Sequence, residues 1–215
     1  MGVGMSKHYV MVIDLGACIG CDTCTVACKQ ENNLPTGVAW TQLITVDSFN
    51  KNENIQNLRR NYPHVKQDFL PLSCQHCVDG PCVDVCPTSA TFRRPEDGIV
   101  MQDPSLCIGC RYCMVVCPFT TVRIYSDSQP SFALPFPTGG NPIGHRANTV
   151  EKCTFCAHRI EQGKQPACVE ACPTQARIFG DLSDPESEVS ELLRSKPHFR
   201  LLIDKATEPS VYYLP

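Results

Sequence analysis

Apolar positions along this chain come in short bursts rather than long stripes. Residues 9–14, Tyr-Val-Met-Val-Ile-Asp, read as a short buried strand. A second strand is expected over 98–102, after the turn Pro95-Glu-Asp-Gly98, with others over 122–125 and 177–179. The helical segments are brief, 25–30 and 83–86. Near the end, Asp184-Pro185-Glu186 reads as an N-cap, an N1 proline and an acidic first turn. Val189, Leu192 and Leu193 supply an apolar stripe, and Lys196-Pro197 stops it. Two stretches, 32–68 and 126–150, show no period; the second carries Pro130, Pro135, Pro137, Gly139, Gly140, Pro142 and Gly144. Stretches of that length usually serve a function, and partner contact is the use expected here. The final apolar residues, Tyr212-Tyr-Leu-Pro215, either pack on the chain's own surface or dock on another subunit.

Composition changes this picture in one respect. The apolar fraction is 42% of 215 residues, but that includes 16 Cys. Without them about a third of the chain is apolar, a thin core interrupted by 18 Pro. Such a chain needs covalent or metal bonds to hold it. The formal net charge of −3 and the lack of a basic run argue against nucleic acid. No apolar run is long enough to span a bilayer. Residues 1–6 carry no basic n-region and no twin arginine, so no secretory signal is read there.

The cysteines fall into four groups of four. The first is Cys18-x2-Cys21-x2-Cys24-x3-Cys28 and the third Cys107-x2-Cys110-x2-Cys113-x3-Cys117. Both follow the bacterial ferredoxin run, in which three cysteines on a tight loop wrap one [4Fe–4S] cubane and the fourth, a helical turn on, reaches its neighbour. Gly20 and Gly109 hold equivalent places, where a missing Cβ lets backbone N–H groups approach the inorganic sulfides. The second group, Cys74-x2-Cys77-x4-Cys82-x3-Cys86, and the fourth, Cys153-x2-Cys156-x11-Cys168-x3-Cys172, keep the outer elements and lengthen the middle.

Disulfides fit poorly, since pairs two residues apart make poor structural bridges. Zinc needs four ligands per ion and gives no reason for a triple run. A redox C-x-x-C site would not need so many pairs. His76 and His158 sit beside cysteines, but sixteen thiolates already complete four cubanes, so both are expected in packing or hydrogen-bond roles. Trp40 is expected as a core or interface anchor. Lys29 and Lys152 are either solvated surface charges or cations that raise a cluster's potential.

The spacing of the groups favours a nested, α+β layout of two ferredoxin-like modules, each with two clusters. Residues 69–126 form the inner module from the second and third groups. Residues 1–68 and 127–180 form the two parts of the outer one, and 181–215 a helix and tail expected at a partner contact.

The four-group pattern, with Cys28-Lys-Gln-Glu-Asn32, Cys153-Thr-Phe-Cys-Ala-His-Arg159 and Cys168-Val-Glu-Ala-Cys-Pro173, resembles the iron–sulfur subunits of the dimethyl sulfoxide reductase family of molybdoenzymes. Polysulfide, thiosulfate and tetrathionate reductases look most similar. The resemblance implies four ligand sets. Set one is Cys18, Cys21, Cys24 and Cys172; set two is Cys74, Cys77, Cys82 and Cys117. Set three is Cys107, Cys110, Cys113 and Cys86; set four is Cys153, Cys156, Cys168 and Cys28. No catalytic residue is implied. The implied role is an electron wire between a molybdenum or tungsten bis-pterin catalytic subunit and a membrane quinone-reactive subunit. It implies a place peripheral to the cytoplasmic membrane, on the periplasmic side as passenger of a signal-bearing partner, with the cytoplasmic face as the alternative. The same cysteines also suit a free-standing polyferredoxin or a subunit of a formate dehydrogenase or hydrogenase complex.

Overall fold

The computed structural model describes residues 7–47, 67–130 and 145–215. The N-terminal 1–6 and much of the two stretches singled out for partner contact lie outside the described residues. The architecture is α+β: short helices carry the cysteine groups between small sheets.

The central strand β1 (Tyr9–Asp14) lies between β8 (Arg177–Asp181), antiparallel, and β9 (Val211–Leu214), parallel. Its continuous apolar run follows from burial on both faces, because side chains alternate across a strand. Met11 and Ile13 face one core with Ile99, Phe155, Phe179, Val211 and Tyr213. Val10 and Val12 face a second with Val189 and Leu214.

Three further two-stranded pairs surround this sheet. These are β2 (Thr41–Asp47) with β3 (Gln67–Ser73), β4 (Thr91–Arg93) with β5 (Val100–Gln102), and β6 (Arg123–Ser126) with β7 (Thr149–Lys152). The turn into β5 is the expected one, with Gly98 at φ 74°. Strand β2 corrects the reading of 32–68 as aperiodic: Thr-Gln-Leu-Ile-Thr-Val does not alternate cleanly, and its partner β3 supplies the order.

Helix α1 (Thr23–Glu31) and the single turns α2 (Pro81–Asp84), α3 (Tyr112–Val115), α4 (Ala157–Ile160) and α5 (Ala167–Glu170) follow the cysteine loops. Helix α1 packs on α5, and α2 on α3. The last helix, α6 (Glu188–Ser195), starts later than Asp184. Asp184 instead closes a turn, its Oδ1 accepting from Glu186 N at 2.9 Å, while the Ser187 hydroxyl caps α6 by accepting from Ser190 N at 3.3 Å. Val189 is fully buried against β1 and β8.

The tail packs on its own chain. Just ahead of β9, Ser210 N donates to Gln75 O at 2.8 Å and Glu208 O accepts from Val78 N at 2.9 Å. The Tyr213 hydroxyl donates to Pro71 O at 3.2 Å. These bonds fasten the second cysteine loop to the central sheet.

Candidate iron–sulfur centres

One backbone feature recurs in all four cysteine groups. The residue two places after the first cysteine is left-handed: Gly20 (φ 69°), His76 (φ 44°), Gly109 (φ 68°) and Phe155 (φ 53°). This turn folds each C-x2-C back on itself. At Gly109 a Cβ would lie 2.8 Å from the backbone Asn148 O, so contact as well as φ favours glycine there, and at Gly20 a Cβ would meet the Phe69 ring at 2.5 Å. The non-glycine pair in the left-handed region stacks on itself: His76 and Phe155 have ring centroids 3.6 Å apart at 15°. His76 Nδ1 accepts from Val100 N at 3.1 Å, the packing and hydrogen-bond role expected of it.

No disulfide joins any of the sixteen cysteines, which argues against the disulfide reading. Cys28, Cys153, Cys156 and Cys168 line one cavity together. Cys18, Cys21, Cys24 and Cys172 line a second. Cys77 is surrounded by Cys74, Cys82 and Cys117. Cys113 lies near Cys82 as well as Cys107; Cys110 is on its loop, and Cys86 follows α2, which packs on α3. Residues from opposite ends of the chain thus share a cavity. Helix α1 is held there by Glu31, which accepts from His158 Nε2 at 2.6 Å and Arg159 Nη1 at 2.9 Å.

The donor sets fit cubanes better than single ions. Among the described residues no three His, Cys, Asp or Glu side chains converge on one metal ion, as tetrahedral zinc would require at about 2.3 Å from each sulfur. A cubane carries its irons at separate corners and holds its thiolates further apart. Backbone N–H groups already point at sulfurs: Thr91 to Cys86, Val150 to Cys107 and Phe155 to Cys153, each at 3.4 Å. Such bonds orient ligands and tune potentials.

Electrostatics agree. Burial pushes the Cys77 and Cys153 thiols up to about 12 and Cys117 to about 11, and neighbouring cysteines add to the rise. Burial also raises Cys28 well above the ordinary thiol range, with Cys153, Cys168 and Cys156 pushing the same way and Arg177 opposing. Thiolates this crowded need metal cations to exist at neutral pH.

The lysines divide. Lys29 caps backbone carbonyls, Pro35 O at 2.8 Å and Val38 O. Lys152 is no solvated surface charge: it is 1% exposed and donates to Cys153 O at 2.8 Å and to Val100 O. Trp40 is a core anchor, donating from Nε1 to Glu151 Oε2 at 3.0 Å. Sequence reasoning passed over Arg123 and Arg177, both buried next to cysteines. Their signal was available: a lone arginine in an apolar strand soon after a Cys-Pro, as in Cys117-Pro118 before Arg123 and Cys172-Pro173 before Arg177.

Comparison with known proteins places the chain. Two models of the 4Fe–4S dicluster domain match it, one over residues 10–87 and one over 65–133 and 141–182. Protein NrfC of Escherichia coli (strain K12) is 42% identical over 97% of this chain and 81% of its own length. A tetrathionate reductase subunit of Salmonella typhimurium (strain LT2) is 41% identical over 98% and 74%. The arsenate respiratory reductase iron–sulfur subunit ArrB of Shewanella sp. (strain ANA-3) is 36% identical over 95% and 94%. The chain therefore belongs to the 4Fe–4S dicluster proteins and, among them, to the iron–sulfur subunits of the dimethyl sulfoxide, tetrathionate, arsenate and selenate reductases, which are electron-transfer rather than catalytic subunits.

Proposed function

We propose that this chain holds four [4Fe–4S] clusters on the four ligand sets given above. It would relay electrons between a molybdenum or tungsten bis-pterin catalytic subunit and a membrane quinone-reactive subunit. When bound, the clusters supply one-electron transfer at potentials set by hydrogen bonding and exposure. The observation that carries the reading is the cavity shared by Cys28 with Cys153, Cys156 and Cys168, a site that only a nested chain can build. It supports the outer module over 1–68 and 127–180 around the inner one over 69–126, with each group's last cysteine exchanged.

The chain's own residues then have distinct tasks. The sixteen cysteines ligate, the left-handed loop residues shape the C-x2-C turns, and the backbone N–H groups hold the sulfurs. Exposed apolar residues beside two of the sets, Ile19 and Val26 at one and Ile108, Tyr112 and Val115 at the other, fit the two protein contacts of a relay. In the tail, Leu202 and Ile203 are the exposed apolar candidates for further contact. No helix among the described residues is long and apolar enough to cross a membrane, so the anchor would be another subunit. The resemblance to sulfur-compound reductases favours the periplasmic side.

Metal analysis of the native protein tests the count. About sixteen iron and sixteen acid-labile sulfides per chain are expected from four cubanes, and zinc without labile sulfide would overturn the reading. Size exclusion tests the partner: a stable complex with a large cofactor-bearing subunit is expected, whereas a freely diffusing monomer would point to a polyferredoxin.

A further inference from the structure

Three cations are buried in this protein without a carboxylate partner among the described residues: Arg177 at 4% exposure, Lys152 at 1% and Arg123 at 2%. Taking an ion out of water costs several kcal/mol unless opposite charge and hydrogen bonds replace the solvent. Their hydrogen-bond partners are mostly neutral. Arg177 Nη2 donates to Thr41 Oγ1 at 3.1 Å, and Arg123 Nη1 to Gln102 Oε1 at 3.3 Å and Thr91 Oγ1 at 3.5 Å. Among the described residues, Lys152 meets only the carbonyls of Cys153 and Val100. Arg123 Nη2 is fully buried with no hydrogen-bond partner among the described residues.

The anionic groups that surround all three are cysteine sulfurs, and each cation faces two different ligand sets. Arg177 lines both the cavity of Cys28, Cys153, Cys156 and Cys168 and that of Cys18, Cys21, Cys24 and Cys172, with Nη1 3.9 Å from Cys168 Sγ. Lys152 adjoins Cys153 of set four and donates to Val100 O, while Val100 N donates to His76 Nδ1 in the loop between Cys74 and Cys77 of set two. Arg123 Nη1 donates to Thr91, whose N–H donates to Cys86 Sγ of set three, and the adjoining Val122 sits in the cluster against which Cys77 and Cys117 of set two pack.

We propose that Arg177, Lys152 and Arg123 are inter-cluster cations, each standing in the wall between two four-cysteine sites and raising the reduction potential of both. This rests on the four-cluster reading above. Reduction adds one negative charge to a site, and a fixed positive charge in a low-dielectric wall stabilises that form. Sharing one cation between two neighbours raises them together and leaves the step between them unchanged. A hop moves one electron from site to site with no atom or proton transferred, and the guanidiniums keep their charge throughout.

The test is an EPR-monitored redox titration of the native complex carrying Arg177→Gln, Lys152→Gln or Arg123→Gln. Each variant should lower two of four midpoints, with at least a tenfold fall in the reduction equilibrium, about 59 mV for a one-electron couple. The affected pairs should overlap in a chain: Arg177 and Lys152 variants share one signal, Lys152 and Arg123 variants share another, and the two Arg variants share none. Arg177→Lys and Arg123→Lys should stay at wild-type potentials with full iron. The proposal is overturned by unmoved midpoints in iron-replete variants, or by a common fall of all four. Lys variants that shift as far as Gln variants, or that lose iron, would overturn it as well. A wrong cluster count would show instead in the wild-type protein, as iron and labile sulfide far from about sixteen per chain.

Discussion

The four ligand sets proposed here fall into two kinds of environment. Sets one and three open to the surface: Cys21 and Cys110 are exposed, and beside them Ile19, Ile108 and Val115 are 60%, 67% and 81% exposed. Sets two and four turn inward: none of their cysteines is exposed, Cys28, Cys74, Cys156 and Cys168 are buried (as is Cys113 in set three), and their loops meet at the His76–Phe155 stack. The division follows the sequence spacing. The outward sets draw three of their cysteines from the tight C-x2-C-x2-C-x3-C runs, the inward sets from the groups with inserted residues. A tight loop turns on a glycine and needs little cover. A loop with an insertion leaves its left-handed residue as His76 or Phe155, and the strain of that backbone is offset by burying the ring. In a relay, the exposed sets suit electron entry and exit, and the insulated ones suit transfer within the chain.

The largest effect that separates the two regions is expected at their inner contact. Phe155→Ala should destabilise the protein by about 3–5 kcal/mol, because a 1%-exposed aromatic leaves a cavity that cannot collapse around cluster ligands. Denaturant unfolding of the loaded protein measures this; a loss below about 1 kcal/mol would mean that the stack is incidental. Next come the outward turns. Gly109→Ala places a Cβ against the Asn148 carbonyl and forces alanine to positive φ, a cost of about 1–2 kcal/mol. It should lower iron occupancy of one site, read by iron analysis, while Gly163→Ala, with open space around it, should leave iron unchanged.

A pH effect is smaller and belongs to the inner region. Burial, then Lys152 and Arg123, hold His76 well below the usual imidazole range. The unfolded chain therefore binds a proton that the folded one refuses, and the stability contributed by neutral His76 is present above about pH 6.5 and lost as pH falls below it. His76→Gln should flatten that part of the stability–pH curve between about pH 7.5 and 5.5. An equally steep curve in the variant would assign the slope to other groups. The smallest effect on folding is expected at the outward rim. Ile108→Ser and Val115→Ser should change stability by no more than about 0.5 kcal/mol yet weaken retention of a partner subunit on gel filtration.

Much of this organisation was legible in the residues, for a physical reason. Metal ligation fixes residue type and spacing together, so the cysteine groups, β1 and the turn before β5 stand out without tertiary information. The elements that did not stand out depend on distant partners. Strand β2 takes its order from β3, and β9 from β1, which no local period announces. The start of α6 is masked because the Asp184-Pro-Glu run mimics a cap, while the Ser187 hydroxyl makes the actual one. Arg123 and Arg177 read locally as ordinary strand residues, and Lys152 could be read from the sequence as a solvated charge or as a cation beside a cluster; only the fold shows that all three are buried.

The central claim is that sites are built from opposite ends of the chain, and one variant tests it most directly. Cys28→Ser, Cys156→Ser and Cys21→Ser should be compared by EPR of the reduced native complex. Cys28→Ser is predicted to alter the same cluster signal as Cys156→Ser and to leave the one altered by Cys21→Ser intact. If Cys28→Ser instead altered the Cys21 signal, the nested layout and the inward sets described here would be contradicted.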